Sequence, residues 1–295
     1  MFDFLKKLFL PITATLDFIT KYFKTIVFLT ILYFIFFNAP NEEGIKTELA
    51  NLQKIELSGP IIDVSKVLEN IEKAKKDEHI KGILFVIDSP GGAVAPSVEV
   101  AYAIKELSSV KPVVTYASGV IASGSYYASI WSNKIIANPG SIVGSIGVIM
   151  QGFEAGQLLE KIGINAQIVK AGKYKESGTP TRKWTDFEEK QLQSVINDTY
   201  NMFISDVANA RKLDVKNHTI YADAKIFTSK QAKEVGLVDE VATLSFAKDS
   251  LVELSKVQKP VWKKEDKFEK FMDKFMSEAI SKISIAFSNQ LKAVL

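Results

Sequence analysis

The chain has 295 residues, 47% of them hydrophobic and 24% charged, which is enough apolar material for one sizeable buried core and excludes disorder as a description of the whole. Thirty-seven Lys and Arg against 34 Asp and Glu leave a formal charge of only +3, too balanced to imply a nucleic-acid surface. The absence of cysteine removes disulfides, thiolate catalysis and thiolate zinc sites together and leaves the redox compartment open.

Residues 1–19 are rich in Phe and Leu with two lysines, which suits a short amphipathic segment lying on the cytoplasmic face of a membrane. From Thr25 to Phe37 the run TIVFLTILYFIFF carries no charge, and reaching back past Lys24 extends it towards spanning length, so residues 20–38 are expected to form a transmembrane helix. No small-residue cleavage site follows it. Lys6, Lys7, Lys21 and Lys24 precede the span while Glu42 and Glu43 follow it, so the bias of basic residues puts the N-terminus in the cytoplasm and everything after residue 40 on the other side. Residues 39–50, with Pro40 and Gly44, read as a linker.

Downstream the pattern alternates. Short apolar, often β-branched runs at Lys54–Leu57, Ile83–Ile87, Val113–Tyr116, Ile135–Ala137 and Ala166–Val169 read as buried strands. Helical spacing recurs at Val67–Ala74, Ser97–Leu107, Ala155–Ile162 and from Asp186 to about Ala210. Strands alternating with helices predict an α/β domain with mainly parallel strands over residues 51–257. Residues 258–295 then repeat Phe268, Phe271, Met272, Phe275, Ala279, Ile283 and Phe287 at helical spacing, an amphipathic helix suited to packing on the domain or on a neighbouring subunit.

The chemistry concentrates in four blocks. Strand residues Gly82–Asp88 run into Ser89-Pro90-Gly91-Gly92, a strand-to-helix turn whose free amides suit a negative charge, although a paired glycine is more often only a tight turn. A phosphate loop is excluded because Ala93, Val94 and Ala95 stand where its lysine and hydroxyl belong. Tyr116 to Tyr127 is a strand, a cluster of small residues and a helix start near Ser123; helix capping is the ordinary role for Ser118, Ser123 and Ser125 taken singly. Asn138 to Ile149 sets Ser145 between Gly144 and Gly147, and Lys170 to Arg182 is a polar loop with three lysines, ordinarily a solvated surface.

These four blocks, in this order, resemble bacterial signal peptide peptidase A, a Ser-Lys peptidase family that shares the fold of the Clp protease proteolytic subunit and of crotonases. The likeness covers roughly residues 52–245. It implies a repeated ββα superhelix, with Ser123 as nucleophile, Lys175 as general base and Ser145 as the hydroxyl that hydrogen-bonds the lysine. It also implies that Gly91 or Gly92, together with Gly124, supplies the oxyanion amides. The family's second glycine after the nucleophile is Ser125 here, and Lys173 competes with Lys175 for the role of base.

Elementary chemistry supports the assignment. A serine hydroxyl needs a neighbouring base to remove its proton as it attacks. His79, in a charged helix end, and His218, in a polar stretch, are the only histidines and neither lies in a small-residue turn, which leaves a lysine. A lysine with a pKa of about 10.4 is almost always charged at neutral pH, and lowering that value by about 3 requires roughly 4 kcal/mol, within what burial supplies. No cofactor or metal is implied, the two histidines being isolated. The resemblance further implies hydrophobic peptide substrates, remnant signal peptides among them, and a cyclic homo-oligomer enclosing the active sites. Two other readings stay open: the same fold acting on a stomatin-like or other membrane protein, and a catalytically silent membrane scaffold.

Overall fold

The computed structural model describes residues 17–30, 32–33 and 49–264. The chain divides into two units, Met1–Glu48 and Leu49–Leu295. In the first, residues 17–30 form a helix, α1, with helical geometry again at 32–33. Its aromatic and aliphatic side chains, Phe18, Phe23, Phe28 and Leu29 among them, are exposed. Among the described residues no helix is long and apolar enough to cross a membrane. The expected segment before residue 17, residues 34–38 of the expected span, most of the expected linker and the expected C-terminal helix from residue 265 onward lie outside the described residues.

The second unit is built on one sheet in the order β1-β2-β3-β4-β7, with β5 and β6 joined to the side of β3. β1 (Leu52–Ser58), β2 (Gly82–Ser89), β3 (Val113–Ala122), β4 (Lys134–Ala137) and β7 (Glu240–Val241) are all parallel. β5 (Ile142–Gly144) runs parallel to the end of β3, and β6 (Ile226–Thr228) antiparallel to β5. Period-two alternation explains how the sheet is covered on both faces. Ile83, Phe85 and Ile87 of β2 point into the larger core, while Leu84 points into a smaller one shared with Leu52, Val114, Tyr116 and Ile136.

Helices close both cores. α2 (Ser65–Lys76) buries Ile71 and Ala74, and α3 (Val94–Val110) buries Val100, Ala101, Ile104 and Leu107; each large aliphatic side chain so buried contributes about 1.5–3 kcal/mol. α3 tolerates Pro96 because the first helical turn has no intrahelical use for an amide. It stops at Lys111, extended at φ −142° and ψ 139°, as a residue preceding Pro112 must be. Short helices, α5 (Gly156–Lys161), α7 (His218–Tyr221) and α8 (Ser229–Glu234), lie in the connections, and on the opposite face α9 (Leu244–Ser255) buries Ala247 and Leu251.

Four departures from the sequence reading have physical causes. The expected strand at Ala166–Val169 does not form, because no strand lies beside it among the described residues; every residue from 161 to 175 is exposed, Val169 completely. β6 and β7 are too short to carry a period, at three and two residues. β3 runs on to Ala122 through small residues that lack a strand-like composition, since β5 and β2 supply its ladder partners there. Finally, the packed body continues past residue 257: Val261 accepts from the amides of Asn51 and Leu52, and the Lys263 amide donates to Leu52, which covers the open edge of β1.

Candidate active site

β2 and β3 both end at the same edge of the sheet, where ligands of parallel α/β folds gather. The ladder between them shifts register between Ile87 and Ser89, and Asp88 steadies the break by accepting from the Val120 amide at 2.9 Å. At Gly119 a Cβ would lie 2.5 Å from the Asp88 carboxylate, so a larger residue there would displace that side chain from the Val120 amide.

β3 then turns abruptly into α4 (Gly124–Ser129). The turn residue, Ser123, has φ 54° and ψ −125°, a conformation an L-residue adopts only at a cost. Its amide donates to Gly144 O at 2.8 Å, so β5 holds the bend. Although Ser123 occupies the N-cap position, its side chain makes no capping hydrogen bond. The neighbouring hydroxyls are committed. Ser118 donates to Ile87 O, and the fully buried Ser125 accepts from the Ala122 amide and donates to Ser89 O (2.6 Å) or Ala122 O. Of the three serines, only Ser123 keeps a hydroxyl without a partner among the described residues.

The glycines divide by task. Gly91, at φ +92°, lies against the elbow so closely that a Cβ would come 2.7 Å from the Gly124 nitrogen. Its amide is engaged by Ser89 Oγ. A Cβ on Gly92 would strike the Ile61 backbone at 2.2 Å, and one on Gly124 the Ser97 hydroxyl at 2.2 Å, with the Gly92 nitrogen 3.5 Å away. The amides of Gly92 and Gly124 have no acceptor among the described residues, and both glycines line the pocket at Ser123. Two neighbouring unpaired amides beside an unpaired hydroxyl can stabilise an oxyanion. Ser125, the departure from the family's glycine, has an ordinary helical backbone and does not disturb the turn; its hydroxyl ties the elbow to the end of β2.

Beside Ser123 lies an apolar pocket with walls from α3 (Val94, Ser97, Val98), α4 (Tyr127), α6 (Asp186–Arg211; Thr199, Met202, Phe203) and the segment Gly147–Val148. Ser145 follows β5 with φ 50°, and its amide donates to Lys225 O at 2.7 Å. Asp223 and Ala224 also have positive φ, and Ala224 donates to Ile146 O. Unfavourable backbone conformations therefore cluster around Ser123 and Ser145, as at sites where the surrounding structure dictates the geometry.

The lysine loop is placed differently. Lys175 is exposed, and no residue of 170–178 lines the pocket at Ser123. Lys170 pairs with Glu176 of the same loop at 2.6 Å, and Lys173 lies 4.5 Å over the ring of Phe187 at the start of α6, whereas the Lys175 amine has no partner among the described residues. Arg182 anchors the loop to α6 through Glu176 (3.0 Å) and the buried Glu188 (2.9 Å). Glu188 also closes a capping box with Thr185. Its carboxyl is pushed down from 4.5 to about 2 by the Arg182 guanidinium and the Thr185 amide. That Thr-x-x-Glu signature was readable in the sequence. Asp206, which holds the Tyr127 hydroxyl, was not, because the two residues lie on different helices with no spacing rule between them.

Comparison with known proteins bears on this geometry. Residues 105–258 match the family model of Peptidase family S49. A relative from Methanocaldococcus jannaschii named as a protease is 44% identical over 190 residues, which are 64% of this chain and 61% of that protein. One from Synechocystis, also named as a protease, is 39% identical over 65% of this chain and 70% of its own. One from Enterococcus faecium named as signal peptide peptidase SppA is 36% identical over 62% and 54%. The chain thus spans about half to seven-tenths of the length of these relatives.

Proposed function

Since the chain belongs to Peptidase family S49, that of signal peptide peptidase A, we propose that it is a serine endopeptidase in which Ser123 and Lys175 form a Ser-Lys dyad. The observation that carries this reading is the Ser123 hydroxyl, left unpaired at a strained helix entrance beside the unpaired amides of Gly92 and Gly124. In the reaction, Ser123 Oγ attacks the scissile carbonyl while the neutral Lys175 amine takes its proton. The carbonyl oxygen, now negative, is held by the two amides. The lysine then returns the proton to the departing amine, leaving an acyl-enzyme, and later accepts a proton from the water that hydrolyses it. Ser145, beside this turn, orients the lysine.

A lysine open to water stays charged, so the base needs a cover that the described residues of one chain do not supply. The exposed stretch 149–175, with Ile149, Phe153, Ile162, Ile164, Ile168 and Val169, is apolar enough to be buried against a second copy. A cyclic homo-oligomer, on the repeated ββα superhelix of the family, would bring a Lys175 to a Ser123 and exclude water in one step. The uniformly exposed aromatic and aliphatic residues of α1 support membrane attachment, with the peptidase unit on the extracytoplasmic side. Hydrophobic peptides, including remnants of signal peptides, are the substrates such a location and pocket favour. A serine-reactive acylating probe should label the full-length protein at Ser123 and fail on Ser123→Ala; undiminished labelling of that variant would remove the proposal.

A further inference from the structure

Away from Ser123 and the Gly92 and Gly124 amides, the hydroxyls on the walls of this pocket are committed elsewhere, beginning with those of α3 and α6. Ser97 Oγ donates to Ala93 O at 2.8 Å and Thr199 Oγ1 to Val195 O at 2.9 Å, each turned back on its own helix. Beyond the reacting groups, the walls offer mainly aliphatic and aromatic side chains, Val94, Val98, Val148, Met202, Phe203 and Tyr127, so the pocket suits an apolar side chain. Tyr127 and Phe203 meet in it edge to face, with centroids 4.7 Å apart at 89°. The Tyr127 ring is 2% exposed, and its hydroxyl donates to Asp206 on α6. Asp206 does not line the pocket. Among the described residues its carboxylate has no cation and takes only phenol donors, Tyr127 and, at 3.4 Å, Tyr102 of α3. Burial and the Asp206 carboxylate raise the Tyr127 phenol, so it remains a donor throughout the working pH range. α6 has independent anchors, since Ile204, Val207 and Ala208 are buried; losing the Asp206 contact frees the ring rather than the helix.

We infer that Asp206 is a positioning residue that, through the Tyr127 hydroxyl, fixes the wall of this pocket and thereby limits the size of the apolar side chain accepted next to the scissile bond. The inference rests on the peptidase reading of Ser123. A charge-assisted bond from a carboxylate to a phenol is a stiff way to hold a ring. Pocket selectivity is sensitive to such stiffness, because a single methylene is worth about 10–200-fold in discrimination.

The test uses the full-length protein in detergent with peptides that differ only at the residue on the acyl side of the cleaved bond, carrying Ala, Leu or Phe. In the parent protein kcat/KM should favour Ala or Leu over Phe. Asp206→Ala and Tyr127→Phe should each compress that ratio by about tenfold, chiefly through KM for the Phe peptide. Asp206→Asn, which keeps an acceptor, should stay near the parent ratio. The double variant should compress it no further than either single change, since both remove one contact. A purely structural role would lower activity on all peptides alike and leave the ratio alone. An unchanged ratio in Tyr127→Phe, which keeps the ring, or additive changes in the double variant, would overturn the inference while leaving Ser123-dependent cleavage intact. Cleavage that persists in Ser123→Ala, or no cleavage by the parent protein, would overturn the peptidase reading and this inference with it.

Discussion

At Ser123 the backbone conformation and the hydrogen-bond inventory set this serine apart from an ordinary helix cap, as the proposed nucleophile requires. Three serines stand within eight residues of a helix start, and capping explains any of them until their partners are counted. Ser118 and Ser125 are bound to the end of β2 while Ser123 is not. The same inventory separates the lysines: Lys170 pairs with Glu176 in the loop, Lys173 lies over Phe187 of α6, and the Lys175 amine has no partner among the described residues. Lys175→Ala should therefore lower kcat by about 10²–10⁴-fold, and Lys173→Ala should change it little, both read in a peptide cleavage assay. Ser125→Ala tests a different claim. It leaves the buried Ala122 amide without an acceptor and should cost about 1–3 kcal/mol in denaturant unfolding; an unchanged midpoint would mean that the elbow is held elsewhere.

Among the elements, α6 carries the most tasks. Its N-terminus receives the lysine loop through Arg182 and Glu188, its middle supplies the pocket wall, and its buried Phe203, Ile204 and Val207 join it to the larger core. The Glu188 contact has a definite pH signature. Its folded-state carboxyl is depressed from 4.5 to about 2, so the folded state favours the charged form. The stabilisation is complete above about pH 4.5 and is lost as the pH falls through about 2. Hydrogen exchange across residues 170–190 should accelerate as the pH is lowered over that window, after correction for intrinsic rates. Glu188→Gln should exchange fast at neutral pH and lose this dependence. Equal protection in the variant at pH 7 would show that the loop is ordered by other contacts.

For the whole molecule, the arrangement of exposed groups argues for assembly. An unbroken run of exposed residues from 161 to 175, rich in aliphatic side chains, is costly to leave in water. It contains Lys175, the residue proposed as general base. If the dyad spans two copies, mixed oligomers of Ser123→Ala and Lys175→Ala should regain activity that neither variant has alone. Co-expression followed by a cleavage assay reads this directly, with analytical ultracentrifugation reporting the mass. A strictly monomeric protein with full activity would sink the assembly, and activity absent from well-mixed oligomers would confine the dyad to one chain.

Much of this was legible before any coordinates. Short, β-branched apolar runs located β1, β2, β3 and β4, helical spacing located α2, α3 and α6, and blocks of small residues marked the turns, because each of these signals is local and depends on residues adjacent in the chain. Tertiary structure alone decided which amides are free, since Gly91 is engaged by Ser89 Oγ while Gly92 and Gly124 are not. It alone joined Tyr127 to Asp206, and it alone showed that Ala166–Val169 has no strand to pair with among the described residues. The reason is the same each time: a hydrogen-bond partner or a ladder neighbour is a property of what packs alongside, and residues far apart in sequence carry no periodic trace of the meeting.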